Sequence, residues 1–153
     1  MTRRAGGYAA AIADVEVNKS TGKVSVQRVT LAHDCGLIVN PDGVKNQVEG
    51  NIIQGVSRAL LEEVTFDGAG VTSQDWSSYP ILKFPDIPAL DIVLIDRKDV
   101  APLGAGELST VPIPAAIANA IFDATGARLR EVPFTPARVL AALKPTSTAN
   151  QKS

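Results

Sequence analysis

The chain has 153 residues, of which 45% are hydrophobic and 20% charged, and its formal net charge is −1. This composition predicts a single globular domain, because no apolar run approaches the roughly 18 residues that a membrane-spanning helix needs. Fifteen basic and sixteen acidic residues, with no basic block, argue against a nucleic-acid or anionic-membrane partner.

The first 31 residues predict a β-hairpin. Two arginines near the start are not followed by an apolar stretch, so we expect neither a secretory nor a twin-arginine leader. Residues 8–17 and 24–31 alternate apolar with polar side chains, and the segment between them has turn chemistry. Four valines are expected in the core and four polar residues in solvent, namely Val15, Val17, Val24 and Val26 against Asp14, Glu16, Gln27 and Arg28.

His33, Asp34 and Cys35 stand together after the second strand and raise the possibility of a metal site or a nucleophile. A zinc site needs about four ligands and a catalytic cysteine needs a positioned base. The chain has one histidine and one cysteine, which also excludes an internal disulfide or an iron–sulfur cluster held by this chain alone. We therefore expect a strand end with Cys35 packed as a small hydrophobe, followed by a turn at 40–43.

Residues 43–64 predict the longest helix, since apolar residues recur there at spacings of three and four. Gln47, Asn51 and Gln54 form a polar stripe on it, which is either a solvated face or a binding face. Gly50 and Gly55 interrupt good helix formers, so we expect close packing against a neighbouring element at both positions.

The middle of the chain predicts irregular structure. Residues 66–70 form a turn that closes a short pair of strands, and prolines at 80, 85 and 88 prevent a helix. Trp76 and Tyr79 could line a substrate funnel, but large aromatic side chains are more often part of a core, and we expect them there. Residues 92–95 predict a buried strand.

Gly104, Ala105, Gly106 and Glu107 form the loop on which the functional interpretation depends. Small residues let another molecule approach the main chain closely, so a cofactor or substrate could sit against this loop. The Glu107 carboxylate would then lie beside that molecule, where a general base is useful. Taken alone, the short pattern is more typical of a turn with an exposed glutamate.

Two helices follow the loop, and the predicted fold class is α+β, with helices on a mixed or mostly antiparallel sheet. The first covers 115–125 and ends at Gly126; its alanines Ala116, Ala120 and Ala124 would allow close approach to a cofactor layer. The second runs to residue 143, with Thr135 as its cap. Residues 1–143 are expected to form one domain, and 144–153 a disordered tail.

Residues 104–107, 115–126 and 129–136 together resemble the C-terminal end of the molybdopterin-binding subunit of the xanthine dehydrogenase and aldehyde oxidase family. The resemblance extends from about residue 6 to 143 and is closest to the isoquinoline 1-oxidoreductase and nicotinate dehydrogenase type. Segments 33–41 and 78–88 also look like that type. Leu108 is a departure, since many members have proline after the glutamate.

The resemblance implies a hydroxylase that adds water-derived oxygen to an N-heteroaromatic compound or oxidises an aldehyde. Glu107 would be the general base, and Gly104, Ala105 and Gly106 would contact the cofactor. Residues 47–50 match the family's Gln-x-Glu-Gly motif, so Gln47 would face a molybdopterin, whose mixed polar edge an amide can both donate to and accept from. The implied cofactor is a molybdopterin cytosine dinucleotide, with iron–sulfur clusters on a small partner subunit.

Large subunits of that family are several times longer than this chain. The chain is therefore expected to be a fragment or a separately encoded piece that works with the remaining part of the large subunit on a small-molecule substrate. The alternative is a non-catalytic binding or assembly module that retains the fold. In isolation we expect the chain to be inactive and to self-associate through helix faces that the missing part would cover.

Overall fold

A computed structural model describes residues 1–4 and 6–144. Six strands and three helices follow one another in the order β1 (Thr2–Arg4), β2 (Gly7–Val17), β3 (Val24–Asp34), α1 (Pro41–Leu60), β4 (Phe66–Asp67), β5 (Gly70–Val71), β6 (Ala89–Ile95), α2 (Ile113–Thr125) and α3 (Pro136–Leu143). Single 3₁₀ turns cover Phe84–Asp86 and Leu108–Thr110. The predicted α+β class is confirmed. Apart from Lys144, the tail expected to be disordered lies outside the described residues.

The main sheet is mixed and has the strand order β1-β2-β3-β6. Strands β2 and β3 pair antiparallel, whereas β6 runs parallel to β3, with Asp34 opposite Ile95 at the end of the pairing. Parallel strands leave the sheet at the same edge. The segments that follow β3 and β6 are therefore neighbours, although some 60 residues separate them along the chain.

The predicted hairpin is confirmed, and its turn is held by Asn18, whose Oδ1 accepts hydrogen bonds of 3.0 Å from the backbone N–H groups of Ser20 and Thr21. Val24 and Val26 are buried, as predicted. Val15 and Val17 are half-buried against the same core, and the four polar residues expected in solvent are exposed. The alternation of the two strands thus correctly predicts which face is inside.

Helix α1 covers Pro41–Leu60 and not 43–64. It begins earlier because Asn40 caps it, accepting a 2.9 Å hydrogen bond from Gly43 N, with a proline in the first turn. It ends earlier because the N–H groups of Leu61 and Glu62 both bond to Ser57 O, at 2.8 and 3.3 Å, and the chain turns away. Val64 is exposed, so its side chain contributes little buried apolar surface that would stabilise a further helical turn.

Helix α1 packs against α2 across Gly55. A Cβ at Gly55 would lie 2.7 Å from Ile113 Cβ, which confirms the expected close packing there. Gly50 has no neighbour within 4 Å of such a Cβ, so the expectation for that position is wrong. Both glycines interrupt one helix, but only the face that carries Gly55 meets another helix.

Helix α2 begins two residues before the predicted start and ends at Gly126, whose φ of 75° is the left-handed conformation typical of a helix end. Ala116 and Ala120 pack against the core, whereas Ala124 is exposed, so the three alanines do not form one uncovered face. Helix α3 has the predicted bounds, and Thr135 Oγ1 caps it by accepting a 3.3 Å hydrogen bond from Arg138 N.

The crossing segment, residues 62–88, differs most from expectation. Trp76 is 76% exposed, and Tyr79 is half-buried with its hydroxyl 2.8 Å from Glu62 Oε2, so the prediction of two core aromatics is wrong. Strand β6 is also only half-buried, because it lies at the sheet edge and alternates between core-facing and exposed residues. In the part of the chain that the structure describes, no helix is long and apolar enough to cross a membrane.

Candidate functional site

The glycine loop lies beside the segment that follows β3. Leu103 N donates to Cys35 O at 2.8 Å, and Leu37 N donates to Val100 O at 3.0 Å. Ile38 N also donates to the Asp96 carboxylate, at 3.0 Å. These bonds join the two chain segments that leave the parallel strands β3 and β6 at the same edge. The position of the loop is therefore a consequence of the sheet topology.

Gln47 and Gly106 meet across a shallow cleft of about 390 Å³. A methyl group placed on Gly106 would lie 3.9 Å from Gln47 Oε1, the nearest atom to it. Ala105, Leu103, Cys35 and Asn40 are among the other residues of the wall. The structure thus brings together three of the five predicted site residues, Gln47, Ala105 and Gly106, although they come from a helix and a distant loop.

Gly104 and Glu107 flank this wall without forming part of it. Both are exposed, and a Cβ on Gly104 would have no neighbour within 4 Å. Glu107 directly follows Gly106 and precedes the 3₁₀ turn, whose Thr110 N–H donates to Glu107 O at 3.1 Å. The predicted base is therefore at the rim of the cleft, one residue beyond the wall.

Two pairs of polar residues that were not predicted as a site anchor the chain just after Glu107. Ser109 Oγ lies 2.7 Å from His33 Nδ1 at the end of β3. Thr110 Oγ1 donates to Asn51 Oδ1 on α1 at 2.6 Å. We call His33, Asn51, Ser109 and Thr110 the loop junction. Asn51 was visible in the polar stripe, four residues after Gln47, but no local pattern indicated which residue it would bind.

Burial dominates the electrostatics at the end of β3. It lowers the pKa of His33 and favours the neutral imidazole, an effect that the nearby Asp34 carboxylate opposes. Burial also raises the pKa of the Cys35 thiol, so this sulfur is a poor nucleophile. Cys35 is only 2% exposed, which confirms that it packs as a small hydrophobe. Among the described residues, no group of three or more potential ligands could hold a metal ion.

Asp34 fixes the same region through an ion pair. Its Oδ2 lies 2.8 Å from Arg97 Nε, and its Oδ1 accepts a 3.0 Å hydrogen bond from Gly36 N. Burial alone would raise the pKa of Asp34, but the Gly36 and Arg97 contacts outweigh it and the pKa is lowered. The carboxylate is therefore ionised at neutral pH and holds the start of one loop to the start of the other.

The cleft offers an uncharged wall with polar groups and small residues. Of the described residues that line it, none carries a charge. Asn40, Gly43 and Val44 place the first turn of α1 in its wall, where the N–H groups of Gly43 and Val44 bond to Asn40. The Gln47 amide can donate and accept, and the small residues Ala105 and Gly106 leave the loop backbone open to contact.

Comparison with known proteins finds similarity over most of the chain. Residues 2–88 match the profile of the molybdopterin cofactor-binding domain. The chain is similar to a nicotinate dehydrogenase polypeptide of Pseudomonas putida, with 53% identity over 136 residues, which are 89% of this chain and 12% of that protein. It is also similar to the beta chain of the isoquinoline 1-oxidoreductase of Brevundimonas diminuta, with 38% identity over 85% of this chain and 16% of the relative.

Among solved structures, the fold resembles the aldehyde oxidoreductase of Desulfovibrio desulfuricans, with a TM-score of 0.81 and 33% sequence identity. That likeness covers 90% of this chain and 16% of the other. The chain thus spans only a small part of the length of each of these relatives.

Proposed function

Because the chain belongs to the molybdopterin cofactor-binding domain family, we propose that it forms part of the cofactor site of a molybdenum hydroxylase. The proposed enzyme hydroxylates an N-heteroaromatic compound or oxidises an aldehyde, using oxygen from water. Relatives named for nicotinate, isoquinoline and aldehydes support these two substrate classes. Residues 1–143 would serve as one domain of the larger subunit.

The observation that carries this proposal is the convergence of Gln47 and the small-residue loop on one uncharged cleft. The molybdenum cofactor, when bound, would supply the two-electron chemistry that side chains lack. Gln47 would offer its amide to the polar edge of the pterin without adding charge. Gly104, Ala105 and Gly106 would let the cofactor approach the main chain, because a larger side chain at Gly106 would project toward Gln47.

Glu107 is proposed as the general base. Glu107 is exposed and directly follows Gly106 of the cleft wall, which supports a place for its carboxylate beside the cleft. A carboxylate accepts the proton released as water-derived oxygen becomes a nucleophile. Its backbone is held by the 3₁₀ turn behind it, which limits how far the side chain can move.

The remaining cofactors and partners belong to the same proposal. We expect a molybdopterin cytosine dinucleotide shared with the remaining part of the subunit, and iron–sulfur clusters on a small partner subunit. Relatives named as subunits support a multi-subunit enzyme. One helix and one loop cannot satisfy the many polar groups of a dinucleotide, so the isolated chain should hold no molybdenum. Stoichiometric molybdenum in the purified chain would contradict this expectation.

The test of the proposed base is Glu107→Gln in the complete enzyme. Glutamine keeps the shape and one hydrogen-bonding oxygen but cannot take up the proton. Molybdenum content should stay near normal, while turnover per molybdenum should fall by about 10² to 10⁴-fold, the contribution usually assigned to a general base. A Gln variant that retains molybdenum and turns over at the native rate would refute the proposed role.

Gln47→Ala provides the complementary measurement. Loss of the amide should lower molybdenum occupancy more than turnover per bound molybdenum, because Gln47 is proposed to hold the cofactor and not to move the proton. Glu107→Gln should therefore lower mainly turnover per molybdenum, and Gln47→Ala mainly the molybdenum content. Equal effects of both variants on both quantities would contradict this division of roles.

A further inference from the structure

The loop junction connects the predicted base to the helix that carries Gln47. Thr110 donates its backbone N–H to Glu107 O at 3.1 Å and its hydroxyl to Asn51 Oδ1 at 2.6 Å. Asn51 lies four residues after Gln47 on α1, and residues at this spacing share a helix face. A short path of hydrogen bonds thus leads from Glu107 to the helix face that lines the cleft.

A second tether reaches the sheet. Ser109 and His33 are completely buried, and their side chains lie 2.7 Å apart. Their elements are far apart in the chain, and Leu108 beside them is also buried. The residues after Glu107 are therefore fixed to β3 by Ser109 and to α1 by Thr110. Two attachments to different elements restrict rotation of the loop as well as its translation.

Burial makes these tethers specific. A buried polar group that loses its partner costs more than the bond contributes, so the alternative loop positions that break either pair are disfavoured. His33 Nε2 has no hydrogen-bond partner among the described residues. An orphaned N–H is costlier than an orphaned lone pair, which favours the tautomer in which Nδ1 carries the proton and donates to Ser109 Oγ.

We propose that Asn51 and His33 are positioning residues that hold Glu107 at a set distance from Gln47, acting through Thr110 and Ser109. This inference rests on the proposed function of Glu107 as the base. Small displacements of a base relative to its substrate reduce turnover strongly, because proton transfer requires hydrogen-bond distance. The junction would therefore affect turnover without contacting substrate or cofactor.

The experiment uses the complete enzyme that contains this chain, with Thr110→Val and Thr110→Ser as a matched pair. Valine keeps the shape of threonine and removes the hydroxyl, whereas serine keeps the hydroxyl. We expect Thr110→Val to raise amide hydrogen exchange at Leu103 and Thr110, whose N–H groups bond to Cys35 O and Glu107 O, and to lower turnover per molybdenum. Each effect should be about tenfold, from the loss of one part-buried bond and of loop alignment. Molybdenum content should stay within about twofold, and Thr110→Ser should restore both quantities.

Thr125→Val is the control for removing a threonine hydroxyl. Thr125 donates to Ile121 O at 2.6 Å in the last turn of α2, outside the residues that line the cleft. It should leave amide exchange at Leu103 and Thr110 and turnover per molybdenum unchanged. Ser109→Ala should act in the same direction as Thr110→Val, because it removes the second tether.

A double variant separates positioning from stability. Thr110→Val combined with Asn51→Leu replaces both partners by apolar groups, which can be nearly neutral for folding. Turnover should stay low in this variant even where the midpoint of unfolding returns to the native value. Native turnover in it, or unchanged loop exchange in Thr110→Val, would overturn the inference. If Glu107→Gln is fully active, the proposed function fails; if it is inactive while Thr110→Val is native, only the positioning role fails.

Discussion

The loop junction and the crossing segment differ in which side chains they bury. The junction buries polar side chains, whereas the crossing segment exposes large apolar ones. At the junction, His33, Asn51 and Ser109 are buried and Thr110 is half-buried, and these polar residues pair over long sequence distances. In the crossing segment, Phe66, Trp76 and Phe84 are between 76% and 88% exposed. Polar residues there bond mainly to near neighbours, as Asp75 does to Ser77 and Ser78.

The two regions therefore differ in whether their side chains find partners within the chain. The junction is held from within the chain, because its hydrogen bonds join β3, α1 and the loop before α2. Only His33 Nε2 and Asn51 Nδ2 lack a partner among its described side-chain atoms. The crossing segment instead leaves large apolar side chains in contact with solvent. Larger exposed apolar patches often mark a surface that binds another protein. Stability should therefore depend on the buried residues of the core and junction, and self-association on the crossing segment.

The largest effect should come from Ile117→Ala, on the core face of α2. Ile117 is completely buried, and its truncation should lower the free energy of unfolding by about 2 to 5 kcal/mol. Ile12→Ala, on the exposed face of β2, makes the same chemical change and should cost less than about 1 kcal/mol. Denaturant unfolding of both variants measures the difference, and equal losses would contradict the assigned core.

Gly55→Ala should destabilise the chain by about 1 to 3 kcal/mol, because the added methyl group would collide with Ile113. Gly50→Ala in the same helix meets no neighbour and should stabilise it by about 0.5 to 1 kcal/mol, through the better helix propensity of alanine. The sign of the change in unfolding free energy distinguishes the two positions. A stabilising Gly55→Ala would show that the α1–α2 contact is looser than described.

The pH dependence of unfolding should report the buried His33. Its folded-state pKa is lowered from 6.5 by burial, so its contribution is intact above pH 6.5 and lost as pH falls from there toward the folded value. Asp34 has a pKa lowered from 3.8, and its contribution persists until pH falls below that value. Between pH 6.5 and 5, stability should fall by at most about 1.4 kcal/mol per pH unit for one proton.

His33→Asn provides the control for this measurement, because asparagine offers polar atoms near the position of Nδ1 but does not titrate. The slope of unfolding free energy against pH between 6.5 and 5 should be smaller in this variant. Identical slopes in the two proteins would mean that another group causes the pH dependence.

The smallest change in stability should come from Trp76→Ser in the crossing segment. Its side chain is largely exposed, so the free energy of unfolding should change by no more than about 0.5 kcal/mol. Self-association of the isolated chain should decrease, since this segment carries the exposed aromatic residues. The surface now expected to mediate self-association differs from the helix faces expected from the sequence, because Gly55 is covered and two of the three alanines pack inward. Light scattering above micromolar concentration tests this, and a monomeric unsubstituted chain would contradict it.

Local patterns predicted much of the fold but little of the junction. The hairpin, the Thr135 cap and the Gly126 helix end follow from neighbouring residues, and all are present. Three predictions were wrong, because each depends on whether another element lies nearby. They are the helix end at 64, the buried aromatics and a contact at Gly50. The predicted roles of Glu107 and Gln47 came from family resemblance, and they stay predictions.

The sequence by itself determined the local elements and the family, because alternation, capping and motif spacing involve residues within a few positions of one another. Only the tertiary structure decided that Gln47 faces Gly106 and that Ser109 meets His33, 76 positions away. The physical reason is the parallel pairing of β6 with β3, which brings two remote loops to one edge of the sheet. Packing of α1 against α2 then brings Asn51 to Thr110, 59 positions away along the chain.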